Sequence, residues 1–453
     1  MALTELTNKD AVSVSLVSVT SLADLAARKI TKATSVYLEL GGRSGTFSYD
    51  ATVSAGTIAT DPLQGVYVAS DFGGAWVRAN LEYVTFEMFG VDGTGVSSAV
   101  AACSAALSLE LPILPCPTAT YLIDSQLTVT DKDIKILDSQ GATFKYLGDS
   151  AQLYFKYSYS DIAAITAVDN TAAVNMSNGT AATTTEVTKL TLVDASIYSA
   201  KDKVKIVADD ILWGTDPADT HRVGEHAVIY SIVGNDIYLD RRLVANAGAY
   251  NTTPRIAKCS TKSCSLGGFT IDGNSANNTT RFFSHVRVEG CANFSTPNLI
   301  TSKNTQATVL NVESCYLPQI QDFYSSDGVT NSAVGAFAHS VLATSGTTDI
   351  KVNSVVGRNM RHLFDTTAVP TTLADDVSNY GGVVGGYIDN ILGVGMQASP
   401  ASTHSDADNI RFGSVVSITP IHGPNGKRAA TGFRGRNHHV DYTDCDNGES
   451  LFV

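Results

Sequence analysis

The segment Cys264–Cys315 (CSLGGFTIDGNSANNTTRFFSHVRVEGCANFSTPNLITSKNTQATVLNVESC) decides the fold, because short alternating apolar stretches recur in it between three cysteines. The intervals from Cys264 to Cys291 and from Cys291 to Cys315 are each about 25 residues, a length typical of solenoids in which each coil adds one rung to parallel sheets. Equivalent residues of successive rungs then stack about 4.8 Å apart, as neighbouring strands do in any sheet. The segment therefore predicts a parallel β-helix in which the three cysteines form a ladder.

The same alternation continues beyond the cysteines. Ile350 and Ile410 begin matching apolar stretches at a separation of between two and three such intervals. A leucine-rich repeat would need a regular Leu and Asn consensus, which this region lacks. The composition agrees, because 37 Gly, 12 Pro and only 17% charged residues in a chain of 453 favour many short strands joined by turns. The clearest helical periodicity is confined to Val100–Leu111, so the sequence predicts a mainly β protein.

The patterns divide the chain into four regions. Residues 1–82 contain short alternating segments punctuated by Gly, Asp and Ser, which predict a small β head. Residues 83–149 contain the helical run, which we expect to cover the apolar first coil, with Ser97 or Ser98 as its cap. Residues 150–258 lack the coil rhythm and predict an inserted β subdomain, and residues 259–453 carry the rungs. The chain ends directly after an apparent rung, which is compatible with a missing C-terminal part.

Charge and cysteine content exclude several functional classes. A net charge of −13 argues against the basic face of a nucleic-acid binder, and an anionic glycan would need local Arg and Lys side chains. Seven cysteines without CxxC pairs predict buried free thiols, and no metal or cofactor is expected. The sequence shows neither a signal peptide nor a run of about 18 apolar residues. We therefore expect synthesis in a host cytoplasm, no membrane insertion, and release by another route.

Two ordered sets of motifs resemble phage tailspikes and tail-fibre depolymerases. Gly41–Asp50 (GGRSGTFSYD), Gln64–Val68 (QGVYV) and Gly74–Arg78 (GAWVR) together resemble the head that precedes the β-helix in these proteins. Val84–Gly95 (VTFEMFGVDGTG), the helical run and Leu114–Ile123 (LPCPTATYLI) resemble the first coil of pectate-lyase-like right-handed parallel β-helices. In addition, residues 222–240 resemble a small domain that interrupts the first coils of several such depolymerases.

The resemblance implies both a fold and an activity. The fold would be a right-handed parallel β-helix, and the activity would be recognition and cutting of a bacterial capsule, exopolysaccharide or O-antigen. It also implies a homotrimer in the virion, which joins a tail, baseplate or adaptor protein through its head and acts outside the bacterial cell. A receptor-binding or structural spike that holds glycan without cutting it is the non-enzymatic alternative.

Histidine and aspartate residues recur close to the rung spacing. His339 and His362 are close to one rung apart, and His404 follows His362 at close to two rungs. We expect them to lie along one strip of the solenoid, which would offer subsites to a linear glycan. Arg361–His362 and Thr403–His404 also resemble paired segments of some tailspike β-helices. The predicted catalytic residues are Asp365, His404, Asp406 and His362, and the predicted substrate-binding residues are Arg361, His339, Asp408, Tyr324, Asp327 and Tyr387.

Two chemistries of polysaccharide cleavage fit this strip. Hydrolysis needs two carboxylates, about 5 Å apart for retention or about 6.5 to 9.5 Å for inversion, and Asp365, Asp406 and Asp408 are the first choices. The acids Asp322, Asp327 and Glu313 on earlier rungs are reserves. A lyase would instead use His362 or His404 as base and Arg361 to neutralise a uronate. Hydrolysis is favoured because phage enzymes of this resemblance more often hydrolyse. The structural alternative is that stacked His and Asp side chains only satisfy each other's hydrogen bonds.

Overall fold

A computed structural model describes the chain over residues 17–29, 35–177, 182–212, 221–244, 250–278, 284–331, 333, 337–367, 376–404, 406–418 and 430–445. The outer parts of the predicted head and rung regions, residues 1–16 and 446–453, lie outside this description. The strands form a small N-terminal sheet, two long sheets and a closed barrel. Within the described residues, no helix is long and apolar enough to cross a membrane.

The N-terminal unit contains β1 (Val17–Val19), α1 (Leu22–Ala26), β2 (Ser35–Leu38), β3 (Gly45–Asp50), α2 (Ala55–Ala59), β4 (Tyr67–Ala69) and β5 (Ala75–Arg78). Its strands pair in the order β1-β2-β3-β5-β4. Phe47 and Trp76 are fully buried in its core. Arg78, at the end of β5, donates from its guanidinium to the carbonyl oxygens of Gly65, Ser44 and Arg43, which ties this strand to the turns before β3 and β4.

The predicted helix covers the first coil of the solenoid. β6 (Thr94–Ser98) leads into α3 (Val100–Ser108), which buries Cys103 and Leu107 in the main core. The helix ends before the predicted Leu111, because Glu110 adopts a left-handed φ of 56°. The predicted cap at Ser97 or Ser98 is wrong, since Ala99 is the N-cap and makes no side-chain capping bond. Ser98 Oγ accepts only a long bond of 3.4 Å from the Val100 amide.

Two long parallel sheets form the solenoid. The larger one contains β6, β7 (Thr120–Ile123), β9 (Ile134–Ile136), β10 (Thr143–Tyr146), β18 (Cys264–Leu266), β19 (Thr270–Asp272), β21 (Phe294–Thr296), β22 (Ile300–Lys303), β24 (Gln319–Ser326), β26 (Thr348–Arg358), β28 (Val384–Val394), β30 (Asp408–Ile418) and β32 (His439–Cys445). The eight-stranded sheet contains β8 (Gln126–Thr130), β11 (Gln152–Lys156), β20 (Val286–Glu289), β23 (Leu310–Glu313), β25 (His339–Thr344), β27 (His362–Thr367), β29 (Ala401–Thr403) and β31 (Thr431–Phe433).

The rung register agrees with the spacing in the sequence. His339 pairs with His362 on the neighbouring strand, and Ile350 and Ile410 both pair with Gly386 from opposite sides. Inward-facing residues such as Val286 and Leu310 stack in the common core. Because every neighbouring pair in both sheets is parallel, the prediction of a parallel β-helix is confirmed.

The cysteines stack less regularly than the spacing predicts. Cys291 and Cys315 each follow the paired Glu289 and Glu313 by two residues. Cys264 pairs with Phe294 and is therefore offset from Cys291 in register, although the thiols of all three cysteines lie close to one another beside Tyr157. All seven cysteines lie in the described part of the chain and are free thiols.

Between the first and later coils, a closed barrel projects from the solenoid. It contains β12 (Ser160–Ser177), β13 (Ala182–Leu192), β14 (Lys203–Ile211), β15 (Arg222–Val233), β16 (Asp236–Leu239) and β17 (Arg255–Lys258). The barrel has its own apolar core, with Ile206, Ile229 and Ile256 fully buried. Arg241 anchors it to the solenoid through Asp349 and through Tyr316 Oη at 3.0 Å.

Candidate functional site

The outer face of the eight-stranded sheet carries a groove of about 490 Å³. Arg287, Asn311, Leu342 and Asp365 are paired across β20, β23, β25 and β27 and form one row of its floor. Side chains of a strand alternate between the two faces, so this row faces outward while its neighbours fill the core. Phe337, from the segment before β25, adds an aromatic wall.

Asp365 is the central acid at one end of the groove. Its side chain is 3% exposed, and its Oδ2 lies 3.8 Å from His339 Nδ1 and 3.7 Å from His404 Nε2. Its Oδ1 accepts a bond of 2.9 Å from the Thr366 amide. Burial raises the pKa of the Asp365 carboxyl above its usual value. The same burial lowers the pKa values of the two imidazoles, which therefore favour their neutral forms.

His339 has a buried imidazole without a hydrogen-bond partner on either ring nitrogen in the described structure. Its ring stacks on Phe337 at a centroid distance of 5.9 Å and lies 5.1 Å from the ring of His362. A buried polar group without a partner costs free energy comparable to that of a lost hydrogen bond. Such a group is therefore suited to bind a ligand that enters the groove.

His362 and Arg361 complete this end of the groove. His362 Nδ1 lies 2.5 Å from the Ser399 carbonyl oxygen, so Nδ1 carries the hydrogen and Nε2 can accept one. Arg361 Nε lies 3.4 Å from that Nε2, and its guanidinium stacks 3.9 Å above the Phe337 ring. Burial lowers the pKa of His362 to about 4. The three neutral imidazoles and the guanidinium thus surround one buried carboxyl. We refer to Asp365, His339, His362, His404 and Arg361 as the histidine centre.

The histidine centre also contains a set of atoms with metal-ligand spacing. One ligand atom each of His339, His362 and Asp365 lies within 4.8 Å of the others. The Arg361 guanidinium faces the same atoms, however, and opposes a bound cation by charge repulsion. The electrostatics therefore favours an anionic or neutral ligand over a divalent metal.

At the other end of the groove, Glu313 lines the floor and is paired with the buried Glu289. Arg287 binds Glu289 Oε2 through Nη2 at 2.7 Å and Glu313 Oε2 through Nε at 2.9 Å. Glu289 also accepts from Tyr154 and lies 3.5 Å from Lys156 Nζ. Glu313 Oε1 has no hydrogen-bond partner within the described residues, and burial raises the pKa of this carboxyl. We call Arg287, Glu289 and Glu313 the glutamate pair.

Five of the predicted site residues lie outside the groove. Asp406 is buried in the turn before β30, beneath Gly382, and Asp408 accepts from Arg436 and Asn437. Tyr324 and Tyr387 lie on β24 and β28 of the other sheet, and Asp327 follows β24 and pairs with Arg358. Each rung contributes to both sheets, so residues close in sequence can face different sides of the solenoid. The five other predicted residues, Arg361, His339, His362, Asp365 and His404, come together as the histidine centre.

Sequence reasoning missed Arg287 and Glu289 and treated Glu313 only as a reserve. A signal was present, because Val286–Glu289 (VRVE) and Leu310–Glu313 (LNVE) share a Val-Glu ending one rung apart. Two acids at the same position of neighbouring rungs must lie side by side in a parallel sheet.

Comparison with known proteins supports the fold. Neither a family model nor a curated protein sequence matches the chain. Among solved structures, the chain is similar to the tailspike protein gp49 of Pseudomonas phage LKA1, with a TM-score of 0.57 and 14% identity over 80% of this chain and 59% of that chain. The Gp54 tailspike of Acinetobacter baumannii bacteriophage AP22, in complex with capsular saccharide, matches at a TM-score of 0.39 and 12% identity over 80% of this chain and 70% of that chain.

The match to gp49 bears on the fold alone, because so few residues are identical. The chain spans 59% of the length of that tailspike. The resemblance inferred from the sequence is nevertheless confirmed for the fold, since the parallel sheets of this chain lie in a structural match that covers 80% of it. The chain therefore has the parallel β-helix fold of phage tailspike proteins.

Proposed function

We propose that this protein is a phage tailspike that binds a bacterial surface polysaccharide in the groove and cleaves it at the histidine centre. The observation that carries the proposal is the position of Asp365, a buried carboxyl with imidazole nitrogens at 3.7 and 3.8 Å on the floor of an open groove. Perturbed carboxyl and imidazole groups of this kind, gathered in a cleft, are typical of proton-transfer sites. The protein would act in the virion, at the outside of the host cell.

Elimination is the chemistry that this geometry supports best. Glu313, the other acid among the described residues that line the groove, is two strands and two residues from Asp365, with a Cα separation of about 12 Å, so Asp365 has no second carboxyl on an adjacent strand to pair with for hydrolysis. His404 has the most exposed imidazole of the centre, with 41% of its side chain accessible. It would abstract the proton beside a uronate carboxyl, Arg361 would neutralise that carboxyl, and Asp365 would hold the imidazole in place. The glycosidic C–O bond at the next carbon would then break to leave an unsaturated uronate, and the departing oxygen would take a proton from water. Catalytic hydrogen bonds often tighten only when substrate binds.

Hydrolysis, which the sequence favoured, has a separate candidate centre in the glutamate pair. Glu289 and Glu313 are paired on neighbouring strands, and Arg287 binds an oxygen of each at 2.7 and 2.9 Å, so the two carboxyl groups lie side by side, as retaining hydrolysis requires. Arg287 and Lys156 both contact the Glu289 carboxyl, while burial raises the pKa of Glu313 and so favours its protonated form. Glu313 lines the groove and Glu289 lies directly beside it, and retaining hydrolysis likewise uses two neighbouring carboxyls in different environments.

The first expected result is that the protein shortens at least one polysaccharide in a panel of purified capsules and O-antigens. Size-exclusion chromatography would show the loss of length, and a reducing-end assay would count the cuts. New ultraviolet absorbance from an unsaturated uronate would identify elimination, whereas reducing ends without it would identify hydrolysis. Binding without any shortening across the panel would contradict the proposed cleavage and leave a receptor-binding spike.

We further propose that the protein assembles as a homotrimer through the larger sheet. Val356, Leu392 and Val416 are paired on β26, β28 and β30 and are partly exposed on its outer face. Tyr324 extends this row on β24 and is 38% exposed. An apolar strip along one face of a solenoid is suited to burial between copies of the chain.

Charge introduced into this strip is expected to dissociate the trimer. The Leu392→Lys variant would place an ammonium in each buried contact, so analytical ultracentrifugation should show a monomer where the parent protein sediments as a trimer. Thr128→Lys, on the exposed face of β8, is the matched control and should remain trimeric. A parent protein that sediments as a monomer would refute the assembly, as would a trimer that tolerates Leu392→Lys.

A further inference from the structure

The side chain of Lys205 extends from the barrel to the wall of the groove, where its amino group is buried. It lies on β14, has no exposed surface, and donates from Nζ to Ser314 Oγ at 2.5 Å. The same Nζ donates to the carbonyl oxygens of Ser345 at 3.3 Å and Ser378 at 3.2 Å. An ammonium has three donors, so all three are used, each on a different segment of the solenoid.

These three partners are chain neighbours of residues that line the groove. Ser314 follows Glu313, Ser345 follows Thr344, and Ser378 precedes Asn379, and each of those three neighbours faces the groove. The barrel therefore contacts the backbone of the groove wall from behind. Through one side chain, it ties together positions that are far apart in sequence.

The close approach of the lysine depends on a glycine. Gly346 adopts a φ of 80°, and a Cβ added to it would lie 2.9 Å from Lys205 Nζ and 2.4 Å from the Tyr380 carbonyl oxygen. A larger residue would push the barrel away from the solenoid at this point. The chain thus leaves space for the ammonium where three segments meet.

The surrounding charges come from every element packed on Lys205. Glu313 and Glu289 on the sheet, Asp376 before the 3-10 turn Val377–Asn379, and Cys259 after β17 favour the ammonium. His226 on β15 is also close, and burial keeps it neutral. The Tyr159 ring lies 5.7 Å from Nζ.

Burial nevertheless lowers the pKa of Lys205 to about 7. A group this costly to bury implies a benefit beyond packing, because an apolar side chain would fill the same space at less cost.

We propose that Lys205 is a positioning residue of the groove, which fixes Glu313, Thr344 and Asn379 relative to one another by binding the group next to each. The proposal rests on the proposed function in one respect, namely that glycan occupies this groove. It assigns the inserted barrel a role in substrate binding although the barrel contributes no side chain to the groove lining among the described residues.

Lys203 provides a matched control on the same strand. Its Nζ donates to the Ala292 carbonyl oxygen at 2.8 Å and to Asn293 Oδ1, so it also joins the barrel to the solenoid. Neither partner adjoins a residue that lines the groove. Lys203→Met and Lys205→Met therefore remove the same chemical group from the same interface, with different expected results.

The first measurement needs no substrate. Amide hydrogen exchange of the intact protein should accelerate by about tenfold or more at residues 313–316, 344–348 and 377–380 in Lys205→Met, and remain unchanged there in Lys203→Met. Ser314→Ala removes the shortest contact from the opposite side and should reproduce a weaker form of this effect, which keeps the test open if Lys205→Met folds poorly. Equal exchange in the parent and both Lys205→Met and Ser314→Ala would overturn the proposal.

The second measurement separates positioning from general stability. On a polysaccharide that the parent protein cleaves, Lys205→Met should raise KM by about tenfold and leave kcat within about threefold, because the substitution weakens glycan binding rather than the chemical step. Lys203→Met should change neither. Faster exchange with unchanged KM would show that Lys205 is only structural and would overturn the proposal. If the parent protein cleaves no polysaccharide, the proposed function is refuted. The hydrogen-exchange result alone would then test whether Lys205 positions the groove wall.

Discussion

The Asp365→Asn variant is expected to lose cleavage by about a thousandfold or more in kcat while retaining the fold. Asparagine has the same shape, but it carries no charge and cannot stabilise the imidazolium that forms when His404 takes the proton. Folding should not suffer, because burial already disfavours the carboxylate at this position. Cleavage should be measured by initial rates of reducing-end formation at saturating polysaccharide, with circular dichroism and thermal unfolding to verify the fold.

Asp322→Asn is the matched control for this variant. Asp322 lies on β24 of the larger sheet and accepts a bond of 3.1 Å from Asn353, away from the groove. The same substitution there should leave kcat within about twofold, since this carboxylate would not touch the substrate. Full activity of Asp365→Asn would remove the histidine centre from the mechanism. If Glu313→Gln abolished cleavage instead, the glutamate pair would be the chemical centre and the reaction a hydrolysis.

The Arg287→Met variant is expected to lose about 3 to 5 kcal/mol of unfolding free energy at neutral pH. Arg287 is the shared cation of Glu289 and Glu313, and the side chains of both acids are only 2% exposed. Removal of the guanidinium would leave the two buried carboxyl groups side by side without their shared cation, and Lys156 reaches only Glu289. Urea denaturation of both proteins at equal concentration would give the difference.

The loss is expected to depend on pH in a defined direction. Burial raises the pKa of Glu313 in the folded protein, so the folded state binds a proton more readily than the unfolded state. Stability linked to this group is therefore present at low pH and is lost as pH rises through the folded pKa. Without Arg287 the folded pKa rises further, and the deficit should shrink as pH falls from 7 towards about 5.

The double variant Arg287→Met/Glu313→Gln is the control for this explanation. It removes one of the two ionisable carboxyl groups together with the cation and should recover about half of the lost free energy at neutral pH. A deficit that is independent of pH, or that the second substitution does not reduce, would mean that Arg287 acts by packing against the Tyr154 ring, 4.6 Å from its guanidinium, rather than by charge.

Local sequence patterns were sufficient for the solenoid. Each rung forms hydrogen bonds with the next rung, so similar rung lengths recur along the chain. The spacings around Cys291 and between His339 and His362 show that length directly. The apolar run from Val100 predicted the covering helix for a similar reason, because an amphipathic pattern is a property of consecutive residues. The predicted cap was wrong, since capping depends on backbone angles at Ala99 that the residue types do not specify.

The location of the groove required the register of whole coils. The coil from Thr348 to Val384 is longer than the next coil, from Val384 to Asp408, so turns absorb different lengths of chain. The assumption of a constant rung length correctly placed His339, His362 and Asp365 on neighbouring strands. The same assumption also added Asp406 and Asp408 to the site, although they lie past a turn and outside the groove.

The sequence by itself determined that the chain forms rungs, because a rung is specified by the alternation of apolar and polar residues close together in the chain and by the strand that follows. Only the tertiary structure decided that Arg287 joins two glutamates and that Lys205 reaches three separate segments. These contacts link residues as far as 173 positions apart along the chain, across coils and an inserted barrel. Their partners are set by how complete coils stack, and no local pattern encodes that stacking.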